Sequence, residues 1–121
     1  MRVLVIDDSR AMRMILRTAL VELGHEVTEA ANGQEGLQKL KAGGPFGLAL
    51  VDWNMPVLNG LEFVQAVRGD PANADMKMMM VTTEMETEQV AKALEAGANE
   101  YVMKPFTNEI IKEKLEMVLE S

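Results

Sequence analysis

Two patterns alternate along this chain, and that alternation constrains its fold more than any other feature. Short runs rich in Val, Ile, Leu or Met occupy residues 2–7, 26–30, 47–52, 76–82 and 99–103. Segments of helical character follow at about 9–23, 34–41, 61–68, 87–96 and 108–120. The first, third and fourth runs are nearly continuous in apolar residues, as in strands buried on both faces of a parallel sheet. Strictly alternating strand and helix units give right-handed crossovers, so the expected class is α/β, a doubly wound parallel sheet of five strands with five helices.

The helical segments rest on spacing and punctuation. In the first, Met12, Ile15, Leu16, Ala19 and Leu23 recur at three- and four-residue steps, an apolar stripe that Ser9 caps and Gly24 closes. In the fourth, Thr87 is the expected cap, Val90 and Leu94 the stripe and Gly97 the close. In the last, the stripe is Ile111, Leu115, Val118 and Leu119. Turn chemistry sits at Gly33, at Gly43, Gly44 and Pro45, and at Gly69, Asp70 and Pro71.

Composition narrows the chemistry. The chain has 121 residues, no Cys and one His, which excludes disulfides, thiolate metal sites and multi-His clusters. Its 19 acidic and 12 basic residues give a formal charge of −7, which argues against binding a nucleic-acid backbone. No apolar run is long enough to cross a bilayer. A single soluble, cytoplasmic domain is expected over residues 1–121.

In doubly wound sheets, ligands bind at the carboxyl ends of the strands. The first strand ends in Asp7 and Asp8, the third in Asp52, the fourth in Thr82 and Thr83, and the fifth runs into Lys104 and Pro105. Three converging carboxylates repel one another and lose hydration unless a cation offsets them. An all-oxygen set selects a hard ion, and few carboxylates with room for phosphate suit Mg²⁺. Carboxylate, Mg²⁺, Lys and hydroxyl together are the parts needed to take up a phosphoryl group. Each residue also has an ordinary reading: Asp7 or Asp8 as a helix cap, Thr82 as a strand end, Lys104 as a solvated cation, Tyr101 as a half-buried aromatic, Trp53 as a rim residue and His25 as a turn residue. The 11 methionines, with a run at Met78–Met80, read mainly as core filling, and Met85 alone as part of an adaptable surface.

Taken in order, Asp7 and Asp8, then Val51, Asp52, Trp53, Asn54, Met55 and Pro56 with Asn59 and Gly60, then Val81 and Thr82, then Lys104, Pro105 and Phe106 resemble the receiver domain of two-component response regulators. The likeness covers the whole chain and is nearest to the single-domain chemotaxis regulators. It implies a flavodoxin-like strand order of 2-1-3-4-5 and no output domain. It implies that Asp52 is the phosphoacceptor, and that Asp7, Asp8, Asp52 and the backbone carbonyl of Asn54 hold Mg²⁺. It further implies that Lys104, Thr82 and Thr83 meet the phosphoryl group, that Tyr101 turns with Thr82, and that the Lys104–Pro105 bond is cis. Asn54 and Glu84 would tune phosphoryl loss. A histidine kinase would be the donor, and a protein target would bind the face of the fourth helix, fifth strand and fifth helix. Glu84, Glu86 and Glu88 make the entry to that face acidic, which disfavours a strongly acidic target. A monomer is expected, with chemotaxis or motility as the setting and a phosphorelay shuttle as the alternative.

Three rivals remain. A haloacid-dehalogenase-type phosphohydrolase would need an acid where Asn54 stands, and a cap domain. A flavodoxin-like electron carrier would need a phosphate loop, which residues 8–12 do not provide. A receiver-like module that never becomes phosphorylated would not need the full residue set.

Overall fold

The strands and helices fall within two residues of the ends expected from the pattern: β1 (Arg2–Ile6), α1 (Arg10–Glu22), β2 (Glu26–Ala30), α2 (Gly33–Gly43), β3 (Leu48–Asp52), α3 (Gly60–Arg68), β4 (Lys77–Thr83), α4 (Thr87–Ala96), β5 (Glu100–Lys104) and α5 (Asn108–Glu120). A 3-10 turn at Pro71–Asn73 was not foreseen; it forms where Asp70 caps Ala72 ahead of Pro71. The computed structural model describes residues 1–53, 55, 58–83, 87–104 and 106–120. All five strands run parallel in the order β2-β1-β3-β4-β5.

The central strands are apolar throughout because successive side chains enter two different cores. Leu4, Ile6, Ala49, Val51, Met78 and Met80 pack with residues of α2 and α3, among them Leu40, Phe63, Val64 and Val67. Val3, Val5, Leu48, Leu50, Met79 and Val81 pack with Leu16, Ala19 and Leu20 of α1 and with Ile111, Leu115 and Val118 of α5. Met78, Met79 and Met80 are fully buried, so the methionine run is core filling. Met85 lies outside the described residues.

Helix punctuation follows local chemistry. The Ser9 hydroxyl accepts the Met12 amide at 3.2 Å, and Gly24 and Gly97 adopt the positive φ that ends α1 and α4. The side chain of Thr87, the expected cap of α4, lies outside the described residues. The described cis peptide is Gly44–Pro45.

Two apolar stripes differ from expectation. Leu20 replaces Ile15 and Leu23 on the buried face of α1, where Ile15 is 47% and Leu23 38% exposed. At about 100° per residue, Ile15 lies on the flank of the stripe formed by Met12, Leu16, Ala19 and Leu20. Leu23 has the right direction but is the C-cap, beyond the last helical turn. In α4 the buried pair is Val90 and Ala93, and Leu94 is 40% exposed. The helix leans toward α3, and the small Ala93 permits the approach.

His25 precedes β2, at the amino edge of the sheet and the far end from the acids. Partial burial, and then the neighbouring amino terminus, lower its pKa. The unfolded chain therefore takes up the proton more readily. Stability falls as pH drops below about 6.5, through the window down to the lowered folded pKa.

Two measurements check these assignments. Leu16→Ala should destabilise by about 2–5 kcal/mol in urea denaturation, whereas Ile15→Ala should cost about 0.5 kcal/mol or less. Stability measured against pH should fall less steeply in His25→Gln than in the parent across that acid window.

Candidate functional site

The parallel sheet sets the site by aligning strand ends. Asp7 follows the last residue of β1, and its amide donates to the Ala30 carbonyl of β2 at 3.1 Å, which prolongs the strand pairing by one residue. Asp52 closes β3 opposite Val81, and the next amide, Trp53, donates to the Val81 carbonyl at 3.0 Å. Lys104 closes β5 opposite Thr83 of β4. Counted by the two-residue period, Asp7, Asp52 and Lys104 share the sheet face of Val5, Leu50 and Val102, the face covered by α1 and α5.

That placement brings four charged groups together. Asp7 is fully buried, Asp52 is 5% exposed and Asp8 is exposed. One carboxylate oxygen from each of the three lies within 4.8 Å of the others. The Lys104 ammonium lies 3.4 Å from Asp7 Oδ2 and 3.4 Å from Asp52 Oδ1, bridging the two buried acids. When all three acids are ionised the quartet carries a formal charge of −2. An oxygen donor set with that residual charge fits a hard divalent cation such as Mg²⁺.

Local contacts hold Asp7. Its Oδ1 accepts the Ser9 amide at 2.8 Å and its backbone carbonyl accepts from Arg13 Nη1 at 2.6 Å. The helix cap itself is Ser9, so Asp7 shapes the turn into α1 without ending on the helix. On the other side, Asn59 and Glu62 form a reciprocal capping box at the start of α3. Gly60, the first residue of that helix, donates to the Trp53 carbonyl at 3.0 Å. A Cβ on Gly60 would lie 2.9 Å from Trp53 Cα and 3.1 Å from the Asp52 carbonyl oxygen. The missing side chain is what lets α3 press on the Asp52–Trp53 peptide.

The hydroxyl residues stand one strand over. Thr82 is buried, 1% exposed, one position beyond the partner of Asp52, and its hydroxyl donates to the Thr83 carbonyl at 3.3 Å. Thr83 is half-buried beside Lys104. Tyr101 does not join the quartet. It is half-buried on the opposite face of β5, the face it shares with Met80 and Thr82, and the Lys114 ammonium lies 4.9 Å from its ring centre. Lys114 is also 3.5 Å from Glu100.

Trp53 is not a rim residue: it is 8% exposed and belongs to the core on the α3 side, with Met55, Phe63 and Met80. Asn54, Glu84 and the Lys104–Pro105 bond lie outside the described residues. Arg13 was missed in the sequence. Its signal was available in the four-residue step from Arg13 to Arg17 and in the acid Glu29 near the end of β2, which both arginines engage. Among the described residues, no helix is long and apolar enough to cross a membrane.

Comparison with known proteins agrees with this geometry. Residues 3–116 match the response regulator receiver domain family. The chain is 46% identical over 120 residues to the chemotaxis protein CheY1 of Helicobacter pylori, covering 98% of this chain and 97% of that protein. It is 47% identical over 120 residues to a chemotaxis protein CheY homolog of Campylobacter jejuni, covering 98% and 92%. Its structure is similar to that of the chemotaxis response regulator CheY4 of Vibrio cholerae, with a TM-score of 0.90, 36% identity and 97% of each chain covered. A whole-chain match of this kind, on a fold with this strand order and this acidic cluster, places the chain in the response regulator receiver domain family.

Proposed function

We propose that residues 1–121 form a receiver that takes a phosphoryl group on Asp52 from a histidine kinase and thereby controls protein binding in chemotaxis signalling. The observation that carries this reading is the buried pair Asp7 and Asp52, bridged by Lys104 at 3.4 Å and joined by Asp8 within 4.8 Å. Such a cluster is costly for a fold to hold without a function. The setting in chemotaxis is supported by the relatives' names and the full-length likeness.

The chemistry follows from the residues. An Asp52 carboxylate oxygen attacks phosphorus, the P–N bond to the kinase imidazole breaks, and the imidazole keeps the bonding pair. Lys104 lies where it offsets charge on the transferring oxygens, and the Thr82 hydroxyl supplies a donor from β4. Asp7, Asp8 and Asp52, with the backbone carbonyl of Asn54 as the family resemblance implies, would hold Mg²⁺, which would supply the remaining charge neutralisation. Asn54 and Glu84, by their places in the sequence two residues beyond Asp52 and Thr82, would tune loss of the phosphoryl group. The pocket modifies only itself, with Asn54 standing where a phosphohydrolase needs an acid.

Signalling requires the phosphoryl group to favour one arrangement of the protein over another. Thr82 and Tyr101 share one face of adjacent strands, so a shift of Thr82 toward the site opens space on the Tyr101 side. There Tyr101 exchanges its place beneath Lys114 for a more buried one. The surface so altered is that of α4, β5 and α5, and the partner is a protein target. A phosphorelay shuttle, which passes the group on to a further histidine, uses the same pocket. Restoration of swimming reversals in a bacterium lacking its own chemotaxis regulator would favour the chemotaxis setting, and failure there would favour the shuttle.

Incubation with acetyl phosphate should add one phosphoryl group by intact mass, only with Mg²⁺ present and not in Asp52→Asn. An adduct that persists in Asp52→Asn, or forms equally in EDTA, sinks the assignment. Trp53 is the sole tryptophan and follows Asp52 directly, so its emission should change on Mg²⁺ titration. Asp8→Asn should weaken that binding by about tenfold or more, the usual scale for loss of a charged ligand contact.

A further inference from the structure

We propose that Arg13 is a positioning residue for the metal pocket, acting through the backbone carbonyl of Asp7. The inference rests on the reading of Asp7, Asp8 and Asp52 as Mg²⁺ ligands and adds a residue to it.

The Arg13 side chain is 17% exposed and makes two directed contacts. Nη1 donates to the Asp7 carbonyl at 2.6 Å, and Nε donates to Glu29 Oε1 at 3.2 Å. The second Glu29 oxygen accepts from Arg17 Nη1 at 2.8 Å. Glu29 thus holds the guanidinium plane from β2, and the plane in turn holds the carbonyl at the end of β1. A guanidinium presents its donors in a fixed fork, so it can serve a carboxylate and a carbonyl at once, where an ammonium cannot hold both in that geometry.

The carbonyl in question belongs to the peptide that joins Asp7 to Asp8. That unit is planar, so fixing its oxygen fixes the direction in which Asp8 leaves the strand. Asp7 has other restraints: its amide is bound to Ala30, its Oδ1 to Ser9 and its Oδ2 to Lys104. Asp8 is exposed, and the two acids repel each other and Asp52. Without Arg13, the peptide is free to rotate so that Asp8 swings away from its neighbours. With Arg13, both carboxylates converge before a cation arrives. Partners that orient metal ligands without touching the ion commonly alter affinity by about 10- to 100-fold.

The test is a Mg²⁺ titration of the intact chain read by Trp53 emission, paired with the acetyl phosphate rate at saturating Mg²⁺. In Arg13→Ala the Mg²⁺ Kd should rise by about tenfold, while the rate at saturation stays within about twofold of the parent. Arg13→Lys should fall between the two. Arg17→Ala, which leaves the bond to Asp7 intact, should shift Kd by less than about twofold. Unchanged Mg²⁺ affinity in Arg13→Ala overturns the proposal, as do equal shifts in Arg13→Ala and Arg17→Ala. If Arg13→Ala does not fold, Arg13→Lys decides: affinity equal to the parent counts against the positioning role. A parent chain that shows no Mg²⁺ binding defeats the metal reading itself, which is a separate and distinguishable failure.

Discussion

Repulsion between carboxylates at the ends of buried strands is the constraint around which the rest of this molecule is arranged. Two ionised acids within 4.8 Å of each other repel by about 3.5 kcal/mol at an effective dielectric constant of about 20. A parallel sheet forces such proximity because it brings all its carboxyl ends to one edge. The fold answers with fixed partners: the Lys104 bridge to both buried acids, the Ser9 amide on Asp7, and the Arg13 bond to the Asp7 carbonyl. One ammonium against three carboxylates leaves the set short of neutral. The deficit matches a divalent cation, and it gives the family's dependence on such an ion an electrostatic origin in this chain.

The second requirement is that the acids be held at fixed positions. Asp52 is positioned from both sides of β3. Strand pairing continues past it through Trp53 to Val81, and the start of α3 rests on its peptide because Gly60 has no side chain. The Asn59 and Glu62 capping box fixes where that helix begins. The short motif after Asp52 is therefore structural in its effect: it delivers a helix start against the backbone of the candidate phosphoacceptor.

Most of the architecture was legible in the sequence because the pattern was strong at the level of whole elements. Continuous apolar runs such as Leu48–Val51 are hard to reconcile with anything but a strand between two helical layers. The differences lie at single residues. Ile15 fits a three-residue step as well as Leu20 fits a four-residue step, and only the contact with the sheet decides between them. Leu94 fits the stripe by its four-residue step from Val90, whereas the packing of α4 against α3 buries the smaller Ala93. Trp53 was placed at a rim because it follows an acid, yet the alternation of β3 carries it toward the α3 core. Arg13 escaped notice because its role runs through a backbone carbonyl, and a sequence does not display which carbonyl a side chain will reach. The strand order came from family likeness; the pattern alone does not rank the several orders that parallel units allow.

The two-residue period of β5 has one more consequence. Lys104 faces the acids on the α1 and α5 side, whereas Tyr101 lies three residues earlier on the other side, with Thr82. Under the proposed function, the acid cluster and the partner-binding surface are thus the obverse and reverse of one strand. Mutation can redraw the surface around Tyr101, and with it the choice of partner, while the quartet of charges stays untouched. A lineage built on this plan can diversify its listeners and keep one inherited chemistry.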